Sequence, residues 1–449
     1  MKKKYIIILL LVAYGIILGA PFLFRPKKVI EDVDRKLYIL SPHPDDIKFE
    51  LSQGFKEWMW KNHHQKVKVE WMNTGGGSQQ VKFVLSEFTR NPDGIGIDMF
   101  AGGGIAPYIK FDSKGLLYRY RAPAALLKSI PAKFAGMKMY DADAGWYGMS
   151  LSTFGIITNI AVAKEMDLPI PRTWSDLADT RLYDWISSAD PANSSSAHMM
   201  FEIMTQSQPW EDSYKMITRI GGNTKRFIDH SSMVPHEVGV GEVLSGTSID
   251  FYASAQIAES GKNNVIFVLP KGKTVVNADP MAILKGAPNR DLAELFIQYS
   301  LSEDAQARLM LPVGAPGGPE KFNVSHVPMI PELLDKYADI SSLTFNPYNE
   351  KQTLTFDFDK SSARWDVMND LWRAMIVDNH ELLKKAWGAV RRTGNAELEA
   401  RLFEPLVTEK EVTEAGKKWN EDVMYRTNTR NKWRETLRNR YEEVIREAK

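Results

Sequence analysis

The chain of 449 residues carries 57 Lys and Arg against 56 Asp and Glu, a formal charge of +1, and 44% of its residues are hydrophobic. This is the composition of an ordinary globular protein long enough for two or three domains, and it gives no global reason to expect nucleic acid as a partner. The complete lack of cysteine excludes disulfides, thiolate metal sites, a cysteine nucleophile and a lipid-modified N-terminal cysteine.

At the start of the chain, Lys2, Lys3 and Lys4 precede an uncharged apolar run from Tyr5 to Phe24, which Arg25, Pro26, Lys27 and Lys28 follow. That pattern is an export signal over 1–31. About 20 apolar residues also suffice to span a bilayer, and Gly19 and Ala20 make a poor cleavage site. The segment therefore reads either as a signal peptide or as an uncleaved N-terminal anchor that tethers the body outside the inner membrane. No comparable apolar stretch recurs later.

From Lys36 the hydrophobic period alternates between two and 3.6. Leu37 to Leu40 reads as a strand, with Ile47, Leu51, Phe55 and Trp58 behind it on a helix face. Val67 to Met72 is a second strand, Thr74 to Ser78 a glycine-rich turn, and Val81, Val84, Leu85 and Phe88 another helix face. Ile95 to Phe100 is a third strand, ending in Gly102, Gly103 and Gly104. This alternation predicts a parallel sheet with ligands at the carboxyl ends of its strands. All three strand ends carry Ser, Gly, Asn or Thr, beginning with Ser41.

A second α/β unit starts near Trp146, with strands at Phe154 to Asn159 and Ile186 to Ala189, a turn at Pro171 to Leu177, and helices at His198 to Gln206 and Trp210 to Ile220. Thr247 to Tyr252 and Val265 to Leu269 read as strands, Ala278 to Leu284 as a strand returning to the first unit, and Leu292 to Met310 as one amphipathic helix. Beyond Pro319 the chain becomes helical and charged, closing with a solvated Arg, Glu and Lys-rich face from Asn431 onward.

Two motifs carry chemistry. His43-Pro44-Asp45-Asp46, directly after the first strand, resembles the zinc site of the LmbE-like de-N-acetylases, where a histidine and an aspartate hold zinc and a second aspartate acts as base. Ile47 stands where that family has glutamate. A third ligand would have to come from His63, His64, His198, His230, His236, His326 or His380. The alternative is a helix N-terminus with Asp45 and Asp46 in its first turn, where carboxylates complement the dipole. The second motif is Ser194-Ser195-Ser196, where a strand runs through Asp190 and Pro191 into a helix: a natural anion site, or simple N-capping by one serine.

The order of these segments from Lys36 to Pro319 resembles the type II periplasmic binding proteins of ABC importers, in the ferric-iron-binding branch. The resemblance is carried by Leu40 to Glu50, the Asp98 strand running into Gly102 to Gly104, Trp146 to Asn159, Trp174 to Leu177, Ser188 to Ser196, Gly241 to Tyr252, and Ile283 to Gln306 with its Lys285-Gly286-Ala287-Pro288-Asn289 turn. It implies two α/β lobes that close on a ligand by hinge motion: lobe one over 36–143 and 279–319 and lobe two over 144–278; beyond the resemblance the chain continues as a helical C-terminal extension over 320–449. In iron-binding members a histidine, an acidic residue and a tyrosine pair hold Fe(III). Here His43 and Tyr252 match, but Phe251 takes the first tyrosine's place, and a phenyl ring cannot ligate.

The expected protein is therefore a monomeric, periplasmic solute receptor, not an enzyme, with no cofactor. It would capture a small anionic or phosphorylated ligand and deliver it to an ABC permease. Ligand-binding candidates are Ser41, His43, Gly76, Gly77, Ser78, Gly102, Gly103, Trp146, Ser194, Ser195, Ser196, Asp250, Tyr252 and Asp279; if a metal is held, His43 and Tyr252 are the candidates. Trp146 or Tyr252 is expected to cover the ligand's apolar part, and Asp250 and Asp279 to sit near the hinge. The alternatives are a zinc-dependent amidohydrolase using His43 and Asp46, and a membrane-tethered ligand sensor.

Overall fold

The computed structural model describes residues 33–343, 346–349 and 354–448; the N-terminal segment read as signal or anchor lies outside them. Two groups of parallel strands are joined through one crossing pair. In the first group β1 (Arg35–Leu40) pairs in parallel with β2 (Val67–Met72) and β3 (Met99–Ala101). Leu37, Ile39 and Leu40 are fully buried, as expected of a strand covered on both faces. Helices α1 (Asp45–His63), α2 (Gly77–Arg90) and α3 (Ile105–Ser113) follow the three strands in turn.

A short hairpin of β4 (Lys133–Phe134) and β5 (Met137–Lys138) leads into β6, Tyr147–Asn159, whose 13 residues are all buried. The second group contains β7 (Ile186–Ala189), which pairs in parallel with both β8 (Thr224–Ile228) and β9 (Ser245–Ile249). Then come β10 (Val265–Val268) and β11 (Val276–Ile283). The sheet order is β2-β1-β3-β11-β6-β9-β7-β8, with β10 on β6. The first half of β6 runs antiparallel to β11, and its second half antiparallel to β9 and β10. One strand thus belongs to both groups.

Helix α4 (Ser195–Gln206) follows β7, α5 (Trp210–Asn223) precedes β8, and α6 (Asp250–Ser260) starts directly from β9. Two sequence expectations change here. Residues 250–252 form the first turn of α6 and do not extend a strand. The helix predicted over 292–310 is two, α7 (Arg290–Ser300) and α8 (Glu303–Arg308), because Ser302 caps the second by accepting the Ala305 N–H. Strand β8, with its basic Lys225 and Arg226, was not foreseen.

The C-terminal helices α9 (Phe358–Trp372), α10 (His380–Thr393) and α11 (Val423–Glu447) pack onto this frame. Helix α9 reaches both strand groups: Lys110 of α3 pairs with Asp366 at 3.0 Å, and Glu202 of α4 pairs with Arg364, both side chains at most 1% exposed. Trp387 of α10 donates to Asn223 Oδ1 at 2.8 Å. Removing one member of a buried ion pair leaves the other charge stranded, at a cost of about 3–5 kcal/mol. Arg364→Met should therefore lower unfolding stability by about that amount in urea titrations, and the double variant Glu202→Met/Arg364→Met should recover most of it. Equal losses in single and double variants would mean that the pair acts only through packing.

Candidate functional site

A cavity of about 380 Å³ opens at the carboxyl ends of the parallel strands of both groups. Helix N-termini converge on it: Pro44 and Asp45 of α1, Gly76 and Gly77 of α2, Gly104 and Ile105 of α3, Ser194 to Ser196 of α4, and Phe251 and Tyr252 of α6 line it. Each brings first-turn N–H groups without intrahelical partners. Among the described residues, those lining the cavity include no lysine or arginine but two carboxylates, Asp45 and Asp279, and two histidines, His43 and His230, so what the cavity offers a negative charge is helix dipoles, amides, hydroxyls and the two imidazoles.

His43 is fixed at the base of this cavity. Its Nδ1 lies 2.8 Å from Ser41 Oγ and its Nε2 2.6 Å from Asp279 Oδ2. Strand β11 has a register shift between Asp279 and Pro280, and such a bulge re-aims the neighbouring side chain. Burial pushes the Asp279 carboxyl up, but the charge and hydrogen bond of His43 hold it below the usual carboxylate range. Gly102 lies against the same imidazole. A Cβ there would come 2.7 Å from His43 Cε1, on a backbone at φ +91° that L side chains rarely adopt. Ser41 is fully buried and does not line the cavity, so it orients His43 from behind.

The two strand groups touch across the cavity. Gly76 lies against the Asn193 carbonyl and Gly77 against Ser195 Oγ, both too close to admit a side chain. Ser194 caps α4 through the Ala197 N–H, and Ser194, Ser196 and Ser231 share hydroxyl hydrogen bonds of 2.6 to 3.2 Å. Ser195 Oγ makes none of these bonds.

Of the residues predicted from sequence, the structure gathers His43, Gly76, Gly77, Gly103, Ser194, Ser195, Ser196, Tyr252 and Asp279 around one cavity. Five others do not line it. Trp146 is 3% exposed in the core beside Tyr108 and covers no ligand. Asp250 is buried in hydrogen bonds within the fold, accepting the Thr153 N–H and Oγ1–H and the Phe251 N–H. Gly102 and Ser41 stand behind His43. Ser78 lines a neighbouring cavity. Sequence reasoning missed Asn277, Ser231, Phe358 and Trp365, which line the first cavity. Asn277 is legible in retrospect, two positions before Asp279 on the same face of β11, and among the described residues its buried Oδ1 has no hydrogen-bond partner.

The donor set does not suit Fe(III) or a catalytic zinc. Phe251 has no ligating atom, and its ring stacks on His326 with centroids 4.1 Å apart. Among the described residues, that leaves Tyr252 as the single phenol lining the cavity. Both nitrogens of His43 are engaged, and Asp46 accepts its neighbour's N–H, that of Ile47. Among the described residues no group of three His, Cys, Asp or Glu side chains is placed to hold a metal ion.

A cleft between two α/β halves, at strand carboxyl ends and beside a crossing strand pair, is the architecture of a ligand-capturing protein. Residues 96–327, just over half of the chain, match the bacterial extracellular solute-binding proteins, and the chain belongs to that family. It is 23% identical over 247 residues to the phosphoglycerate transport regulatory protein PgtC of Salmonella typhimurium, covering 55% of this chain and 58% of that protein. The chain thus spans little more than half the length of this curated relative. A Haemophilus influenzae protein is 24% identical over 301 residues, 66% of this chain and 79% of its own.

Among solved structures, the periplasmic binding protein P5PA superposes with a TM-score of 0.61 at 20% identity, over 76% of this chain and all of that one. AfuA from Actinobacillus pleuropneumoniae, with fructose-6-phosphate bound, gives 0.59 at 20% identity, over 81% of this chain and all of that one. The apo ferric ion-binding protein A of Pasteurella haemolytica gives 0.54 at 16% identity, over 83% and 99%. The fold is that of the two-lobed type II periplasmic binding proteins, with C-terminal helices added.

Asp250 provides a pH test of this interior. Burial raises its pKa from 3.8 to about 7, against the hydrogen bonds from Thr153 and Phe251. Between those two values the folded state holds the proton more tightly than the unfolded state, so this contribution to stability is full below pH 3.8 and is lost as pH rises to about 7. The stability of Asp250→Asn relative to the parent protein should accordingly climb across that window in denaturant titrations. A difference independent of pH would contradict a buried carboxyl that titrates there.

Proposed function

We propose that this protein is the solute receptor of an ABC import system, working in the periplasm. It captures a phosphorylated organic anion between its two halves and presents it to a membrane permease. The halves act as lobes, 36–143 with 279–319 and 144–278, and hinge on the crossing strands. No bond of the ligand is broken; the task is recognition.

The observation that carries this reading is the convergence of helix N-termini and serine hydroxyls from both strand groups on one cavity. A phosphate there meets amides of α2 and α3 on one side and Ser195 and Ser196 of α4 on the other, so one anion satisfies donors from both halves and favours closure. Similar proteins support the ligand class: PgtC is a phosphoglycerate transport regulatory protein, and AfuA was solved with fructose-6-phosphate. Asp279, held ionised against His43, supplies an acceptor for ligand hydroxyls beside the phosphate.

Two experiments test the assignment. Calorimetric titration with inorganic phosphate and fructose 6-phosphate should give saturable binding that weakens about tenfold or more in Ser195→Ala/Ser196→Ala, which leaves the Ser194 cap intact; each charged hydrogen bond lost is worth roughly 1.5–3 kcal/mol. Undiminished affinity in that variant would place the anion elsewhere. Ferric citrate should produce no phenolate-to-iron visible band with the parent protein, and such a band would overturn the argument from Phe251.

A further inference from the structure

The first cavity does not end at its apparent wall. Beyond Trp365 lies a second cavity of about 350 Å³, between α2, α3 and the C-terminal helix α9. Ala106, Ser195 and Trp365 line both cavities, so a ligand touching Ser195 in the first is already at the border of the second.

Its chemistry is different. Val81, Pro107, Ile109, Val367 and Trp419 supply apolar walls. Lys110 reaches inward but is neutralised by Asp366 at 3.0 Å, and exposed Lys82 and Asp359 offset each other at the rim. A compartment without net charge disfavours a second anionic group and accepts an uncharged, apolar one. Ser78 points to an occupant. It lines this cavity, is 5% exposed, and among the described residues its Oγ has no hydrogen-bond partner. A buried hydroxyl left unpaired costs about 1–3 kcal/mol, a cost that a ligand acceptor or donor would remove. Helix α9, which supplies Trp365, Asp366 and Val367, lies beyond the residues matched by the family, which end at 327.

We propose that the second cavity is the compartment for the far end of the ligand's organic part, past the hydroxyls that meet Asp279. The ligand is a phosphate ester with a ring-sized, largely apolar or aromatic body bearing a polar group that meets Ser78, and Trp365 stands at the junction of head and body. This rests on the phosphate reading of the first cavity.

The test is calorimetry on the full chain with inorganic phosphate, glycerol 3-phosphate and phenyl phosphate. Burying a phenyl group should make phenyl phosphate bind at least about tenfold more tightly than glycerol 3-phosphate. Val81→Trp and, independently, Ile109→Trp should fill the compartment and abolish that preference, leaving inorganic phosphate within about twofold of the parent protein. Equal affinity for the two esters, or a preference that survives in both filled variants, overturns the compartment while inorganic phosphate binding upholds the first cavity. Absence of binding by all three probes overturns both.

Discussion

The pairing of β6 with β11 is the constraint on which the rest of the molecule depends. Each strand of the pair also runs beside one parallel group: β11 beside β3, and β6 beside β9. These two strands therefore set how the carboxyl ends of both groups face each other. The register shift at Asp279 and Pro280 lies within this pair. It turns Asp279 onto His43, and the imidazole in turn requires a residue without a side chain at Gly102. A change in the ladder would move the acid, the histidine and the glycine loop together.

On this frame the proposed binding site is assembled almost entirely from chain turns. Strand ends deliver helix N-termini, glycine lets α2 meet α4 across the cavity, and the hydroxyls of Ser194, Ser196 and Ser231 hold one another in place. No lysine or arginine lines the cavity among the described residues. Amides and hydroxyls fixed by backbone geometry need no side-chain ordering when ligand arrives, which lowers the cost of binding. The C-terminal helices add a second layer. Through Arg364 with Glu202 and Asp366 with Lys110, α9 is fixed to both groups, so its Trp365 stands at a defined position on the cavity wall.

Much of this was legible in the sequence because it is local. Alternating periods marked most of the strands, and small polar residues after them marked the cavity. Most of what failed had non-local causes. Trp146 looked like a ligand cover, but it is buried just ahead of β6 with its ring beside Tyr108 of α3. Asp250 looked free, but the switch from β9 directly into α6 ties its carboxyl to Thr153. Ser302 split a periodic helix through a single capping bond. Phe358 and Trp365 could not be assigned because nothing in their neighbourhood says that a helix some 160 residues beyond α4 returns to the cleft.

The central claim is that the cavity between the strand groups holds a phosphorylated solute, and thermal unfolding with graded ligand tests it most directly. A ligand that binds only the folded state stabilises it by RT ln(1 + [L]/Kd), about 2.7 kcal/mol at a hundredfold excess over Kd. The account predicts a melting temperature that rises progressively with fructose 6-phosphate or another phosphate ester, and no comparable rise with ferric citrate or zinc at matched ionic strength. Stabilisation by ferric citrate or zinc alone would contradict it, and return the site to metal chemistry.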